Sequence, residues 1–161
     1  MTSLFLEPFS GISGDMLNGL LVDLGGDVTL LRSELEKLGI DGFHLHVDHI
    51  AKSAIWGTDF DVHLHHVEKD TGIEGDFDHK HHHDHEHGHS HADARSYADI
   101  HDLIAASQLS PFVKEKSLAV FLDIAKAEAA VHNMPVEQIH FHEIGAIDSI
   151  VDIVSFFILV E

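Results

Sequence analysis

The chain has 161 residues, enough for one domain, and 44% of them are apolar, as is usual for a globular protein. It carries 28 acidic against 9 basic residues, and a formal net charge of −19 disfavours binding to nucleic acid or to an anionic membrane surface. There is no cysteine, which excludes disulfides and thiolate metal sites. Any metal must therefore be bound by carboxylates and by the 18 histidines, a ligand set that suits nickel, zinc, cobalt or copper.

The N-terminal part predicts a strand, a turn and two helices. The apolar stretch "SLFLEPF" is interpreted as a short strand broken at Pro8, and the turn after it opens a helix that Gly25 ends. A second amphipathic helix is expected over roughly 29–38. Because this N-terminus has no basic segment and holds acids such as Glu7, we expect a cytoplasmic protein without a secretion signal.

Two segments with alternating apolar residues, "FHLHVD" and "FDVHLHH", predict a pair of antiparallel strands. One face of the pair is apolar and comprises Phe43, Leu45, Val47, Phe60, Val62 and Leu64. The opposite face presents His44, His46, Asp48, Asp61, His63 and His65. The pattern leaves two interpretations open for that polar face, simple solvation or metal binding.

Residues 68–94 are charged, contain glycine and show no periodicity, which predicts a long disordered loop between two parts of one domain, 1–67 and 95–161. The loop includes "HKHHHDHEHGHSH", with histidines at His79, His81, His82, His83, His85, His87, His89 and His91. A flexible run of this kind collects metal but cannot orient it. It is interpreted either as a metal reservoir or as an insert without function, and in both cases not as a catalytic centre.

Three further helices are expected after the loop. The first covers "RSYADIHDLIAAS", and the second begins at Ser110-Pro111 and runs to about His132. A short extended piece then leads into an apolar helix whose aspartates argue for a buried core helix and against a membrane span. The expected fold is α+β, a small antiparallel sheet packed with about five helices and one long disordered His-rich loop.

The turn "FSGISGDM" is the first candidate site. Ser10, Gly11, Ser13 and Gly14 allow a sharp turn that exposes backbone N–H groups at a helix N-terminus, where a phosphate can bind. Asp15 in the first helical turn can bind a cation or accept a proton beside that anion. The alternative is an ordinary helix start, with Ser13 as N-cap and Asp15 favouring the helix dipole.

The segment "HFHEIGAIDSIVDIV" is the second candidate. His140 and His142 project to the same side of an extended segment, and Glu143 follows them. Asp148 and Asp152 lie one helical turn apart in an apolar helix, where carboxylates are costly unless paired, protonated or bound to metal. This favours a functional site over structural polar groups.

These two motifs, together with the His-rich insert followed by "RSYADI", resemble one family, the LarC-type nickel insertion proteins. The resemblance covers essentially the whole chain but only the N-terminal region of the longer family members. Their C-terminal region, which is associated with binding of CTP and a divalent metal, is absent from this sequence.

The resemblance implies a cytoplasmic, CTP-dependent nickel chelatase, or cyclometallase, of the lyase class. Its substrate is pyridinium-3,5-bisthiocarboxylic acid mononucleotide, and its product is the nickel-pincer nucleotide cofactor of lactate racemase, whose apoprotein is the eventual recipient. Ni²⁺ and CTP with Mg²⁺ or Mn²⁺ are the implied cofactors, and this part alone is expected to complete no turnover. The resemblance leaves open whether the protein forms a homo-oligomer.

Within this implied reaction the residue roles are hypotheses. Glu143 is the first choice for the base that removes a ring proton, and Asp15 is the second. The substrate phosphate is assigned to the turn of Ser10, Gly11, Ser13 and Gly14, and nickel to His140, His142 and Asp148. The alternative function is a nickel-binding metallochaperone or storage module without catalysis, and a third is a zinc or copper binder outside this pathway.

Overall fold

The computed structural model describes residues 4–64, 95–141 and 146–161. In these ranges the chain forms a two-stranded antiparallel sheet and five α-helices, which confirms the expected α+β class. The predicted loop at 68–94 lies outside the described residues. The elements in chain order are α1 (Gly14–Asp23), α2 (Val28–Glu36), β1 (Phe43–Lys52), β2 (Ile55–Leu64), α3 (Tyr97–Ala106), α4 (Pro111–His132), one 3-10 turn (Val136–Gln138) and α5 (Ile147–Val160).

Three of the five described helices, α2, α3 and α4, begin where the sequence supplies a side chain that caps them. The Asp27 carboxylate accepts hydrogen bonds from the backbone N–H groups of Thr29 and Leu30 at the start of α2. Ser96 and Asp99 form a reciprocal capping box at the start of α3. The Ser110 hydroxyl accepts from the Val113 N–H, ahead of a proline that needs no partner at the first helical position. These starts confirm the predictions for α3 and α4.

The two strands pair in the register that their apolar alternation predicts. Phe43 faces Leu64, Leu45 faces Val62 and Val47 faces Phe60 across the ladder. A two-residue turn at Ser53 and Ala54 joins them, and both residues have positive φ angles, 52° and 68°, as a tight hairpin turn with the right twist requires. The apolar face of the hairpin therefore turns towards the helices, with Leu45 and Phe60 buried.

The predicted N-terminal strand is wrong. Residues 4–8 have no regular secondary structure, and Phe5 is 83% exposed. A strand needs a neighbour for its backbone N–H and C=O groups, and in the part of the chain that the structure describes β1 and β2 pair only with each other. A local apolar pattern is not sufficient to form a strand when no partner strand lies beside it.

Helix α5 is the central element of the core and packs against α1, α2, α4 and β2. Its Ile150, Val151 and Val154 are fully buried. They belong to one apolar cluster with buried side chains of α2, α3 and α4, among them Leu31, Ile100 and Phe121, and the partly buried Val22 of α1 packs against this cluster. The apolar C-terminal helix is thus a core helix, as expected, and none of the helices in the described ranges combines the length and apolarity needed to cross a membrane.

Helix α1 lies unusually close to β2 because it has no side chain at the contact. A Cβ atom added at Gly19 would lie 2.6 Å from the backbone carbonyl oxygen of Thr58 and 3.8 Å from the Cβ of Phe60. Real Cβ atoms do not approach a carbonyl oxygen so closely, so only glycine permits this helix-to-strand distance.

Replacing Gly19 with alanine is expected to lower the free energy of unfolding by about 1–3 kcal/mol, although alanine is favoured over glycine inside helices by about 1 kcal/mol. The clash with the Thr58 carbonyl reverses the usual sign. Urea denaturation measures the change. The matched control is Gly57→Ala in β2, where an added Cβ meets nothing within 4 Å. Equal stabilities for the two variants would contradict the close packing of α1 on β2.

Candidate functional site

The turn before α1 leaves the N-terminal backbone of that helix exposed. Gly11 adopts a positive φ of 84°, and its N–H donates to the Pro8 carbonyl oxygen at 3.1 Å. Ser13 occupies the N-cap position with extended backbone, but its side chain makes no capping hydrogen bond. The first-turn N–H groups of a helix have no intrahelical partner. Anion binding by Ser10, Gly11, Ser13 and Gly14 stays a prediction, to which this geometry is suited.

Asn18 joins α1 to α5 through a contact that sequence reasoning missed. Its side chain is fully buried, and its Nδ2 donates to the Asp152 backbone oxygen at 3.1 Å and to Asp152 Oδ1 at 3.4 Å. Its Oδ1 is buried without a hydrogen-bond partner among the described residues. A lone amide in the apolar run "LNGLLV" is the only signal by which the sequence marks this residue.

Gly14 is also part of this contact, in a role that the sequence did not indicate. A Cβ atom at residue 14 would lie 2.9 Å from Asp152 Oδ2. The glycine thus allows the start of α1 to rest directly against the Asp152 carboxylate. Two segments 138 positions apart in the printed sequence, the glycine turn and the aspartate-bearing helix, meet at this point.

Asp15 and Asp148 are near enough to Asp152 for their charges to act on its carboxyl group, and we call these three aspartates the carboxylate cluster. Burial, followed by the charges of Asp15 and Asp148, raises the pKa of Asp152 to about 7. The Asn18 hydrogen bond opposes this shift, and Asp61 of β2 adds to it. A carboxyl group with such a pKa exchanges its proton near neutral pH, as general acids and bases do. The predicted catalytic Asp15 and the predicted metal ligand Asp148 thus both act on the same carboxyl group, that of Asp152.

The contacts found for His140 are with residues outside the carboxylate cluster. One ring nitrogen, Nδ1, bonds to the Gln138 carbonyl oxygen at 3.1 Å, and its backbone bridges to Ser96 at the start of α3. Its charge contributes to lowering the pKa of Asp99, although the hydrogen bonds from Ser96 are the main cause. No hydrogen bond or ion pair joins His140 to Asp148 within the described ranges.

The remaining predicted residues fall in parts of the chain that the structure does not describe. These are His142, Glu143 and the eight loop histidines His79, His81, His82, His83, His85, His87, His89 and His91. In the three described ranges, no group of three or more histidines and carboxylates is gathered in a geometry that holds a metal ion. The assignments of nickel ligands and of the base therefore stay predictions.

The raised pKa of Asp152 makes a prediction for stability. A carboxyl group whose pKa is higher in the folded state holds its proton more tightly there than in the unfolded chain, so stability is lost as the pH rises from about 4 to about 7. Asp152→Asn keeps the acceptor for Asn18 but removes this charge. We expect the free energy of unfolding of the variant to exceed that of the wild type by about 1–2 kcal/mol at about pH 8 and by much less near pH 4.

Urea unfolding at several pH values measures this difference. The matched control is Asp123→Asn, because Asp123 is an exposed aspartate on α4 paired with Lys126 at 3.0 Å. Its stability difference from the wild type should stay small at every pH. A D152N variant that follows the wild-type pH profile would show that the pKa of Asp152 is the same in the folded and the unfolded chain.

Comparison with known proteins identifies the family. A family model described as "Nickel insertion protein" matches residues 4–161. A relative from Lactiplantibacillus plantarum, named pyridinium-3,5-bisthiocarboxylic acid mononucleotide nickel insertion protein, is 51% identical over 96% of this chain and 36% of its own length. The protein of the same name from Geobacillus kaustophilus is 44% identical over 96% of this chain and 34% of its own length.

A putative nickel insertion protein from Dictyoglomus thermophilum is 37% identical over the whole chain and 36% of its own length. No solved structure matches the chain. The chain thus spans about a third of the length of these curated relatives. Since the family model covers nearly every residue, the chain belongs to the nickel insertion protein family.

Proposed function

We propose that this chain is the N-terminal region of a protein that inserts nickel into pyridinium-3,5-bisthiocarboxylic acid mononucleotide. The contact of Gly14 and Asn18 with Asp152 is the observation that carries the proposal. It brings exposed backbone N–H groups, which suit a phosphate, near carboxylates, whose charge attracts a cation and of which Asp152 exchanges its proton near neutral pH. An anionic nucleotide and a divalent metal ion are both needed for this reaction.

The substrate phosphate is assigned to the turn before α1. Ser10, Gly11, Ser13 and Gly14 are exposed, and no side chain caps the helix N-terminus that they precede. The net charge of −19 makes a general electrostatic attraction for a phosphate implausible, so a local arrangement of N–H groups is required. The pyridinium ring would then lie near Asp15 in the first turn of α1.

The reaction forms a carbon–nickel bond where a ring C–H bond breaks. The electron pair of that bond passes to nickel, and the proton passes to a base, so no oxidant or reductant is needed. Glu143 is the first choice for the base, and Asp15 at the carboxylate cluster is the second. We assign the nickel ion, which is a substrate here, to His140, His142 and Asp148 before its transfer.

The complete reaction is proposed for the full-length protein. The relatives are about three times as long as this chain. We assign the use of CTP with Mg²⁺ or Mn²⁺ to their additional region, and we propose that the full-length protein is a cytoplasmic lyase. Lactate racemase apoprotein would receive the finished cofactor. This chain alone is expected to bind nickel and to complete no turnover. The proposal leaves open whether the chain forms a homo-oligomer.

Glu143→Gln in the full-length protein tests the choice of base. We expect the rate of nickel insertion to fall on the order of 10²–10⁴-fold because the ring proton has no acceptor, while the amount of bound nickel changes little. Mass spectrometry of the nickel-containing nucleotide gives the rate, and elemental analysis gives the bound metal. The control is Glu137→Gln, an exposed glutamate in the 3-10 turn. A wild-type rate for E143Q would remove Glu143 as the base.

Replacing the eight histidines of 79–91 with glutamine tests the reservoir. We expect nickel stoichiometry to drop, and we expect insertion to slow when nickel is limiting but not when nickel saturates the protein, because the proposed reservoir supplies metal without orienting it. Complete loss of nickel insertion at saturating nickel would contradict the role of a reservoir. A wild-type full-length protein that binds nickel but forms no nickel nucleotide with CTP and substrate would instead favour the metallochaperone alternative.

A further inference from the structure

The outward face of the β1–β2 hairpin carries a group of side chains that the proposed function does not use. We call it the hairpin patch: His44, His46, His63, Asp48 and Asp61. In the strand register His63 is directly opposite His44, and it is diagonal to His46. Its ring centroid lies 4.9 Å from that of His44 and 5.2 Å from that of His46. Three imidazoles thus occupy one small area of the surface.

Two of these imidazoles are each held by a carboxylate. His46 Nε2 lies 2.9 Å from Asp48 Oδ2, and His63 Nε2 lies 2.8 Å from Asp61 Oδ2. Because an ionised carboxylate only accepts hydrogen bonds, Nε2 carries the proton in both rings and the lone pair is on Nδ1. Metal-binding histidines are oriented in this way, with one nitrogen donating to a carboxylate and the other on the metal.

The charges of this face favour a cation. Asp48 and Asp59 face each other directly across the two strands, and like charges in that position are destabilising. Lys52 lies 3.2 Å from Asp59 Oδ1, so one of the two aspartates has a positive partner. The side chains of His46 and His63 are 45% and 44% exposed, which leaves them accessible to an ion from solution. A simple solvated face requires none of these alignments.

We propose that His46 and His63 form a two-imidazole site for a borderline divalent cation, above all Ni²⁺, with Asp48 and Asp61 as positioning residues. No three histidines or carboxylates of the described ranges converge on one point, so water fills the remaining coordination positions. Such a site binds the ion less tightly than a complete ligand set and releases it readily. It therefore suits the transfer of nickel better than its storage.

The position of the patch suggests its use. Asp61 is close enough to the carboxylate cluster to act on Asp152, and in the sequence the His-rich run follows β2. The patch is therefore near Asp152 in space and precedes the His-rich run in sequence, which suits a transfer point for nickel. This role as a transfer point rests on the proposed function, whereas the binding of the ion does not.

The test is calorimetric titration with Ni²⁺ alone, without substrate or CTP. The parent is the full chain in which the eight histidines of 79–91 are replaced by glutamine, so that these histidines do not compete with the hairpin patch for Ni²⁺. We expect His46→Gln and His63→Gln each to weaken the strongest binding event at least about tenfold, and Asp48→Asn to weaken it about 10-fold to 100-fold. The matched control is His49→Gln, because His49 is also in β1 but stacks on Trp56.

H49Q should bind Ni²⁺ within about twofold of the parent. Circular dichroism verifies that each exposed substitution leaves the fold intact. In the same parent chain, Ni²⁺ should also broaden the imidazole NMR signals of His46 and His63 before that of His49. Equal affinity in the parent, H46Q and H63Q, or broadening that spares both rings, would overturn the proposal. Neither result depends on whether the full-length protein inserts nickel.

Discussion

The approach of α1 to α5 is possible because residue 14 has no side chain. With Gly14 resting on the Asp152 carboxylate and the Asn18 amide bonded to Asp152, the start of the first helix is fixed against the last one. The carboxylate cluster exists only because of this approach, since its members come from both helices. The exposed N-terminus of α1 is held in the same place. Fold and candidate site therefore depend on one contact.

That contact also explains an unfavourable feature of the structure. A carboxyl group that is half-buried among other carboxylates, and an amide oxygen without a partner in the described residues, both cost free energy. Proteins tolerate such costs most often where they bind or react. Both of these costs lie at the contact of α1 with α5, whereas the buried hydroxyl groups of Ser117 in α4 and Ser155 in α5, which also have no hydrogen-bond partner among the described residues, add a further cost inside the core.

The sequence predicted the elements well where local chemistry decides them. Capping residues such as Ser96, the proline at residue 111 and the alternation in the hairpin are read over a few neighbouring positions, and the helices and the strand register followed from them. The N-terminal strand was predicted by the same local reasoning and was wrong, because a strand also needs a partner. Local patterns carry no information on what lies alongside.

The candidate site was only partly predictable for the same reason. Asp15 was identified beside the turn before α1 and Asp148 as a carboxylate in an apolar helix, but nothing in the sequence states that both act on Asp152. Gly14 was attributed to a phosphate turn, while its contact is with a residue at the other end of the chain. Asn18 was missed because one amide in an apolar run is a weak signal. Contacts across the whole chain require the folded structure.

The strict alternation of the hairpin has a consequence for how this protein can vary. Inward side chains such as Leu45 and Phe60 determine stability, whereas the outward side chains contact mainly one another and water. Substitutions on the outward face can therefore change its affinity for an ion or its preference among metals with little effect on folding. Selection can adjust metal handling and stability independently on the same ten-residue strands.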